Sequence, residues 1–421
     1  MLQAGAHLVP VLSVLGLAVV VWFVSLFLPT WLKTSATRAF PFPDTTAGEL
    51  SKAAALEASF PAVTKEIDFP SDWWTSPKQY QLETRAIFSK TWLHVCHTSL
   101  FGKPGDYRTF SVANFSFIVV LGKDGHLRAF HNVCRHRAYT VATKAAGSSL
   151  VMTCRYHGWS YNTKGKLIKA PKFEEVQGFD KSQNGLFEVR TFVDSSGFVY
   201  VNFDAYGSDG LTIRVGVPIR ARLSLVDSWT IEGNFNWKLG VTTGAFHIKS
   251  LANLSKLAEL LSDASGLFES WKWPPEFELS PLTRLMRSTS GDQWLTVTVN
   301  PISESRSSIH CSFYTSHVDR THPPSSSLVK QEVEESIKLL EEMFVELGKY
   351  SEIKDTQSQE PLLAEVRAHA RFERLMGKEI FPASRMRETS QACKVADDLC
   401  RKLEDDAGEK PGIGGMDGLA W

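Results

Sequence analysis

The sequence predicts an α+β chain: an apolar N-terminal helix, an all-β domain, and a second domain of antiparallel strands backed by a long helix. Three observations carry this. Residues 8–28 form a 21-residue apolar run without a charge. Between residues 115 and 203, short β-branched and aromatic runs are separated by Gly, Asn and Asp, as in Lys123-Asp124-Gly125, the pattern of short antiparallel strands. Residues 328–347 place Val333, Ile337, Leu340, Phe344 and Leu347 at helical spacing, the stripe by which a helix packs on a core.

The apolar run is long enough to cross a hydrocarbon core of about 30 Å as a helix. No Lys or Arg precedes it, while Lys33, Arg38 and Lys52 follow. A secretory signal carries its positive charge in front, and the positive-inside rule keeps the C-terminal side of this run in the cytosol. The expectation is a single-pass anchor over 1–33, in the endoplasmic reticulum, followed by a polar tether over 34–70 broken by Pro41, Pro43, Pro61 and Pro70. The all-β domain is expected over 71–206, the second domain over 207–408 and a Gly-rich tail over 409–421. Within them, 78–92 has helical spacing. Residues 115–121, 127–133, 150–154, 198–203, 230–241, 294–299 and 308–314 read as strands.

With 46 basic and 46 acidic residues in 421, the chain offers no net positive field for nucleic acid. Its six cysteines, at 96, 134, 154, 311, 393 and 400, show no disulfide framework. Cys393 and Cys400 are seven apart on an expected helix and share a face. No GxGxxG fingerprint is present, so a nucleotide-dependent electron source must be a separate protein.

Two short boxes carry the chemistry. Cys134-Arg135-His136 is followed, after residues 137–153, by Cys154-Arg155-Tyr156-His157-Gly158-Trp159. Each offers one thiolate and one imidazole. C-x-H with C-x-x-H is the ligand pattern of a [2Fe–2S] cluster in which two Cys hold one iron and two His the other. The expected ligands are Cys134, His136, Cys154 and His157, with residues 137–153 forming a strand pair that brings the loops face to face. The alternative is a structural zinc site. Such sites usually pair Cys with Cys and His with His, whereas these boxes mix them, and zinc gives no role to the aromatic residues around the second box.

Neither CRHRAY nor CRYHGWSY contains the further Cys of respiratory Rieske proteins. The two stretches resemble the boxes of Rieske non-haem iron oxygenase α subunits, the group of choline-monooxygenase-like enzymes and aromatic-ring hydroxylases. The resemblance extends over Trp73-Trp74-Thr75-Ser76-Pro77, Ile87-Phe88-Ser89-Lys90-Thr91-Trp92, Pro104-Gly105-Asp106-Tyr107, Phe198-Val199-Tyr200-Val201-Asn202-Phe203 and Asn236-Trp237-Lys238. Ala138 departs from it where the family has Gly, which predicts a changed loop torsion. The resemblance implies a helix-grip catalytic domain and a cluster that passes single electrons to a mononuclear Fe(II). It also implies monooxygenation or a related oxidation of a small organic substrate, an NAD(P)H-dependent reductase as electron donor, and a head-to-tail homotrimer.

The second half departs from the family pattern. The family holds Fe(II) with two His and one carboxylate. After Asn236-Trp237-Lys238 it shows an acid followed by Asn, then two His four residues apart; the acid bridges to a cluster His of the next subunit. Here Thr242-Thr243 stands in the place of the acid and Asn. His247 matches the first ligand, and Ala252 occupies the position of the second. For the third ligand the candidates are Asp355, Glu360 and Glu365. His310, His317, His322 and His369 show no ligand spacing. Loss of the mononuclear iron predicts a cluster-only electron-transfer protein, and a splice junction misplaced between Leu239 and Ala252 gives the same pattern.

Overall fold

The computed structural model describes residues 70 and 72–204 apart from 175 and 177, 223–251 apart from 243, 245 and 247, 276–316 apart from 289 and 290, 326–349, and 359–380. The apolar run 8–28, the segment 34–69, the Cys393/Cys400 pair and the tail 409–421 lie outside the described residues. Among the described residues no helix is long and apolar enough to cross a membrane.

The first element is α1 (Pro77–Glu83), with Pro77 at its start and Ser76 as N-cap accepting from the Gln79 amide. The chain continues as a π-helical turn, Thr84–Phe88. The helical spacing over 78–92 therefore overreaches. The hydroxyls of Thr84, Ser89 and Thr91 each donate to the carbonyl four residues back, a bond that weakens a helix, and β1 (Leu93–His97) begins directly after Trp92.

Strands β2 (Asp106–Val112), β3 (Phe115–Leu121), β4 (Leu127–His131), β5 (Ala146–Ser148), β9 (Glu188–Val193) and β10 (Phe198–Asn202) join β1 in a seven-stranded antiparallel sheet, order β1-β10-β9-β4-β3-β2-β5. A second sheet, β6-β7-β8, holds Val151–Thr153, Ser160–Asn162 and Leu167–Lys169. The expected strand pair within 137–153 is not formed. Its two short strands belong to different sheets: β5 pairs with β2 and β6 with β7. Strand β3 separates two cores. Phe117 and Val119 pack with Val199 and Val201 on one side. Ile118 and Val120 face Cys134, Cys154, Trp159 and Tyr161 on the other. Alternation along one strand thus gives the second box its floor.

In the second half, β11 (Ser224–Gly233), β12 (Glu276–Ser280), β13 (Thr283–Arg287), β14 (Gln293–Pro301) and β15 (Ser307–Thr315) form a five-stranded antiparallel sheet, order β11-β15-β14-β13-β12. The expected strand over 230–241 is corrected. Strand β11 ends at Gly233, and Trp237–Thr242 is a short helix, α2. The Asn236 carboxamide oxygen accepts from the Lys238 amide, and its nitrogen donates to the carbonyls of Trp74 and Glu304. Asn at a helix start satisfies donors that a helix leaves open.

Leu295, Val297, Val299, Ile309, Cys311 and Phe313 point to one face of this sheet and share a core with Val329, Val333, Ile337 and Leu340 of α3 (Ser327–Lys349). Each such side chain, fully buried, stabilises the layer by about 1.5–3 kcal/mol. On the opposite face Trp294 and Tyr314 pack with Phe198 and Tyr200 of β10. The last described helix, α4 (Glu360–Met376), ends on Gly377 at φ +65°, the left-handed conformation glycine adopts without steric cost. It is anchored to the π turn by Arg85, whose Nε and Nη2 reach the Glu373 carboxylate at 2.7 and 3.1 Å.

Candidate metal centre

The two boxes fold into the same loop. In the first, the Cys134 amide donates to the Tyr139 carbonyl (2.7 Å) and the Ala138 amide to the Cys134 carbonyl (3.0 Å). In the second, the Cys154 amide donates to the Trp159 carbonyl (2.8 Å) and the Gly158 amide to the Cys154 carbonyl (3.0 Å). The fifth residue of each loop is left-handed: Ala138 at φ +53° and Gly158 at φ +73°. The torsion expected to change at Ala138 is therefore kept, at the steric cost an L side chain meets there. The first loop follows β4 and is closed by a bridge between Val133 and Thr140. Asn132 fixes its far end by donating to the Ala142 carbonyl and accepting from the Ala142 amide, both at 2.8 Å. The second loop joins β6 to β7.

These twin turns bring like ligands together. The Cys134 and Cys154 thiols are near enough to perturb each other: their interaction lowers Cys154 to about 6 and, with burial, pushes Cys134 up. The His136 and His157 rings lie 4.4 Å apart, centroid to centroid. Trp159 stacks on His136 at 5.0 Å with the planes 10° apart, and Phe173 meets the same ring edge-on at 4.9 Å. Arg135 is turned aside, its guanidinium 3.7 Å over the Phe187 ring. Tyr139 and Tyr156, 5.2 Å apart and each more than a third exposed, form the outer rim of the loops.

Among the described residues no three His, Cys, Asp or Glu side chains converge on a single metal ion. Two thiols side by side and two imidazoles side by side match a two-iron cluster with one pair on each iron.

Tyr161, fully buried, places its hydroxyl 3.2 Å from Cys134 Sγ. The same oxygen accepts from the Arg135 amide at 3.0 Å, and once Cys134 is a thiolate, as a cluster ligand must be, the hydroxyl is the donor of that pair. The motif points to the ligands and not to this contact. The available signal was Tyr161's position in β7, two residues past the buried Trp159 and on the same side of the strand.

Among the described residues no ligand group for a mononuclear iron is assembled. His247, Thr243, Ala252 and Asp355 lie outside them, as do His317 and His322. Thr242, in place of the acid, donates to the Lys238 carbonyl and accepts from Gln359. Glu360 is the first, exposed residue of α4. Glu365 is half-buried on the same helix, and burial pushes its carboxyl up to about 7. His310 pairs with Thr230 across the sheet and His369 with Glu373; neither approaches the other candidates as part of a ligand group.

The two boxes lie within residues 91–180, which match the model of the Rieske [2Fe-2S] domain. A [2Fe–2S] cluster is the cofactor this domain implies. The chain is similar to oxygenase subunits. It is 30% identical over 198 residues to the carnitine monooxygenase oxygenase subunit of Escherichia coli (strain K12), covering 45% of this chain and 53% of that protein. It is 35% identical over 136 residues to the subunit of the same name from Acinetobacter pittii, covering 32% and 36%. With the large oxygenase component of the naphthalene 1,2-dioxygenase system of Pseudomonas aeruginosa it shares 40% over 127 residues, 30% and 28% of the two chains. The chain thus spans about a third to a half of the length of the first curated relatives it matches.

Among solved structures, the apo form of the quaternary ammonium Rieske monooxygenase CntA superposes with a TM-score of 0.52 at 22% identity, covering 67% of this chain and 85% of that one. Naphthalene 1,2-dioxygenase with indole bound gives a TM-score of 0.50 at 20% identity, covering 69% and 81%. These likenesses establish the fold of both halves: the all-β cluster domain and the catalytic-type domain of Rieske oxygenases.

Proposed function

We propose that the chain is a Rieske-type oxygenase component that oxidises a small organic substrate with O₂, using electrons from a separate NAD(P)H-dependent reductase. The observation that carries the reading is the twin-loop convergence of Cys134, His136, Cys154 and His157. These four hold the cluster, and the cluster supplies one-electron transfer. The chain's own residues then do three things. The left-handed turns aim sulfur and nitrogen inward, Tyr161 gives a hydrogen bond to Cys134, and Trp159 with Phe173 excludes water from the His136 side. His247 is the remaining candidate ligand for a mononuclear Fe(II). The similarity to carnitine monooxygenase subunits supports monooxygenation over ring dihydroxylation. The run 8–28 anchors the protein in a membrane, the endoplasmic reticulum in this reading, with the cluster domain cytosolic; the oxygenase assembles as a homotrimer.

One observation favours a second reading, a cluster-only electron carrier. The place of the bridging acid is taken by Thr242, a neutral residue satisfied by Gln359 and its own helix. Iron and sulfide counts, EPR of the reduced protein, and substrate-dependent O₂ consumption with a reductase and NADH decide between them. Iron beyond the cluster's two per chain, with product formation, supports the oxygenase. Two irons and uncoupled electron loss support the carrier. An all-thiolate EPR spectrum rejects both.

A further inference from the structure

Four residues from three separate stretches of the chain close a ring of hydrogen bonds. Gln359 Nε2 donates to Thr242 Oγ1 at 2.9 Å, and Thr242 Oγ1 donates to the Lys238 carbonyl at 2.6 Å. Lys238 Nζ donates to the Trp73 carbonyl at 2.9 Å, and Trp73 Nε1 donates to Gln359 Oε1 at 3.4 Å. Gln359 immediately precedes α4 yet makes no side-chain cap to that helix. Both ends of its amide are committed elsewhere, and the residue is 2% exposed. A buried carboxamide satisfied at oxygen and nitrogen fixes the relative placement of the groups it joins, because displacing either one strands a polar atom away from water. The groups joined here are the C-terminal residue of α2, directly before the segment that contains His247, and the start of α4, the helix that carries Glu360 and Glu365.

We propose that Gln359 is a positioning residue: with Thr242 it docks the start of α4 onto the end of α2, and it does so without a metal ion. The inference rests on reading this half as the catalytic-type domain, and it sets the placement of Thr242 against Gln359 by their own hydrogen bond. The ring is neutral at the Gln359–Thr242 contact. The ammonium of Lys238 is balanced by Glu83 at 2.6 Å and not by any group of the ring.

The test is amide hydrogen exchange on the full chain, compared among the unsubstituted protein, Gln359→Leu and Gln359→Glu. Leu keeps the approximate volume and loses both bonds. Glu keeps an acceptor for Trp73 Nε1 but loses the donor to Thr242 Oγ1, whose one hydrogen is given to the Lys238 carbonyl. The expected result is a loss of protection of about tenfold at the amides of 239–242 and of Leu363 in Gln359→Leu, the scale of one net buried hydrogen bond. Gln359→Glu should lose protection at the same amides, because the bond to Thr242 is gone although the Trp73 bond can remain, and strands β14 and β15 should be unchanged in both. Treating the unsubstituted protein with an Fe(II) chelator that leaves the cluster EPR signal intact should leave the same amides protected. Unchanged protection in Gln359→Leu overturns the proposal. So does a uniform loss that includes β14, or an equal loss on chelation, since a metal would then hold the two segments. Substrate-dependent O₂ consumption by the unsubstituted protein reports separately on the oxygenase reading.

Discussion

The Tyr161 hydroxyl sits 3.2 Å from Cys134 Sγ and accepts from the Arg135 amide, so towards a Cys134 thiolate it is the hydrogen-bond donor. A donor to that sulfur favours the more negative, reduced state of a cluster and raises its potential. Tyr161→Phe is expected to lower the midpoint potential by ~20–60 mV, the one-electron equivalent of ~0.5–1.5 kcal/mol. Protein-film voltammetry measures it. An unchanged potential with an intact cluster would remove Tyr161 from any electronic role.

Ala138 holds φ +53°, where an L residue is disfavoured by roughly 1–2 kcal/mol. Glycine relieves that strain and adds unfolded-state entropy of about 0.4–1 kcal/mol. The Ala138→Gly variant should therefore be more stable by up to about 1 kcal/mol, with the cluster spectrum unchanged. Denaturant unfolding of the holoprotein checks this, and a destabilised variant would mean that the Ala138 methyl makes a packing contact outweighing the strain.

His94, on β1, is buried against Phe198 and Tyr200, and its two ring nitrogens have no hydrogen-bond partner among the described residues. Burial, then the neighbouring His310 and His97, pulls its pKa down to about 3. The surrounding groups offer no carboxylate to the ring: His97 is bonded to Ser99 and the Ser196 carbonyl, His310 to Thr230, and Asp194 to Tyr200. The folded value lies below the unfolded one. The stability His94 contributes is thus complete above about pH 6.5 and declines as pH falls from there towards 3. His94→Phe should flatten the pH dependence of stability between pH 6.5 and 4 by close to one proton. An identical slope in both proteins would assign the acid sensitivity elsewhere.

Lys238 and Glu83 are each 1% exposed and 2.6 Å apart, with the Lys238 ammonium 4.4 Å over the Trp73 ring. Removing one member of such a pair leaves an uncompensated buried charge. Lys238→Met is expected to cost about 3–5 kcal/mol. Lys238→Met with Glu83→Gln should recover part of it, because the amide still accepts from Trp237 Nε1, the present partner of Glu83. Thermal unfolding of the single and double variants separates the two cases.

The cluster boxes were legible because their chemistry is local: four ligands in two short turns state their own spacing. Strands β3, β14 and β15 were legible because their apolar residues run or alternate on a period that only strands share. What escaped were features decided by partners far away in sequence. Residues 137–153 looked like a hairpin, yet their strands find β2 and β7 instead. The stretch from Thr230 looked continuous until Asn236 turned it into a helix by bonding to Trp74 and Glu304. Tyr161 became part of the site only through the fold of the opposite loop, and Gln359 acquired a role only through Trp73, 286 positions away. His247 itself lies outside the described residues, and its role as an iron ligand is a proposal.

The two loops hang from different sheets: the first from β4 and β5, the second from β6 and β7. A group bonded to both is a rivet through two plates. It closes the 17-residue segment between His136 and Cys154 into a fixed loop and removes that freedom from the unfolded chain, much as a covalent cross-link does. The cost of losing it falls unequally. The larger plate would keep its seven strands, while the three short strands β6–β8 would keep their packing against β3 and β4 and the backbone bond from Leu186 to Gly165. Protease cleavage confined to residues 137–170 would be the mark of a chain that never received the cofactor.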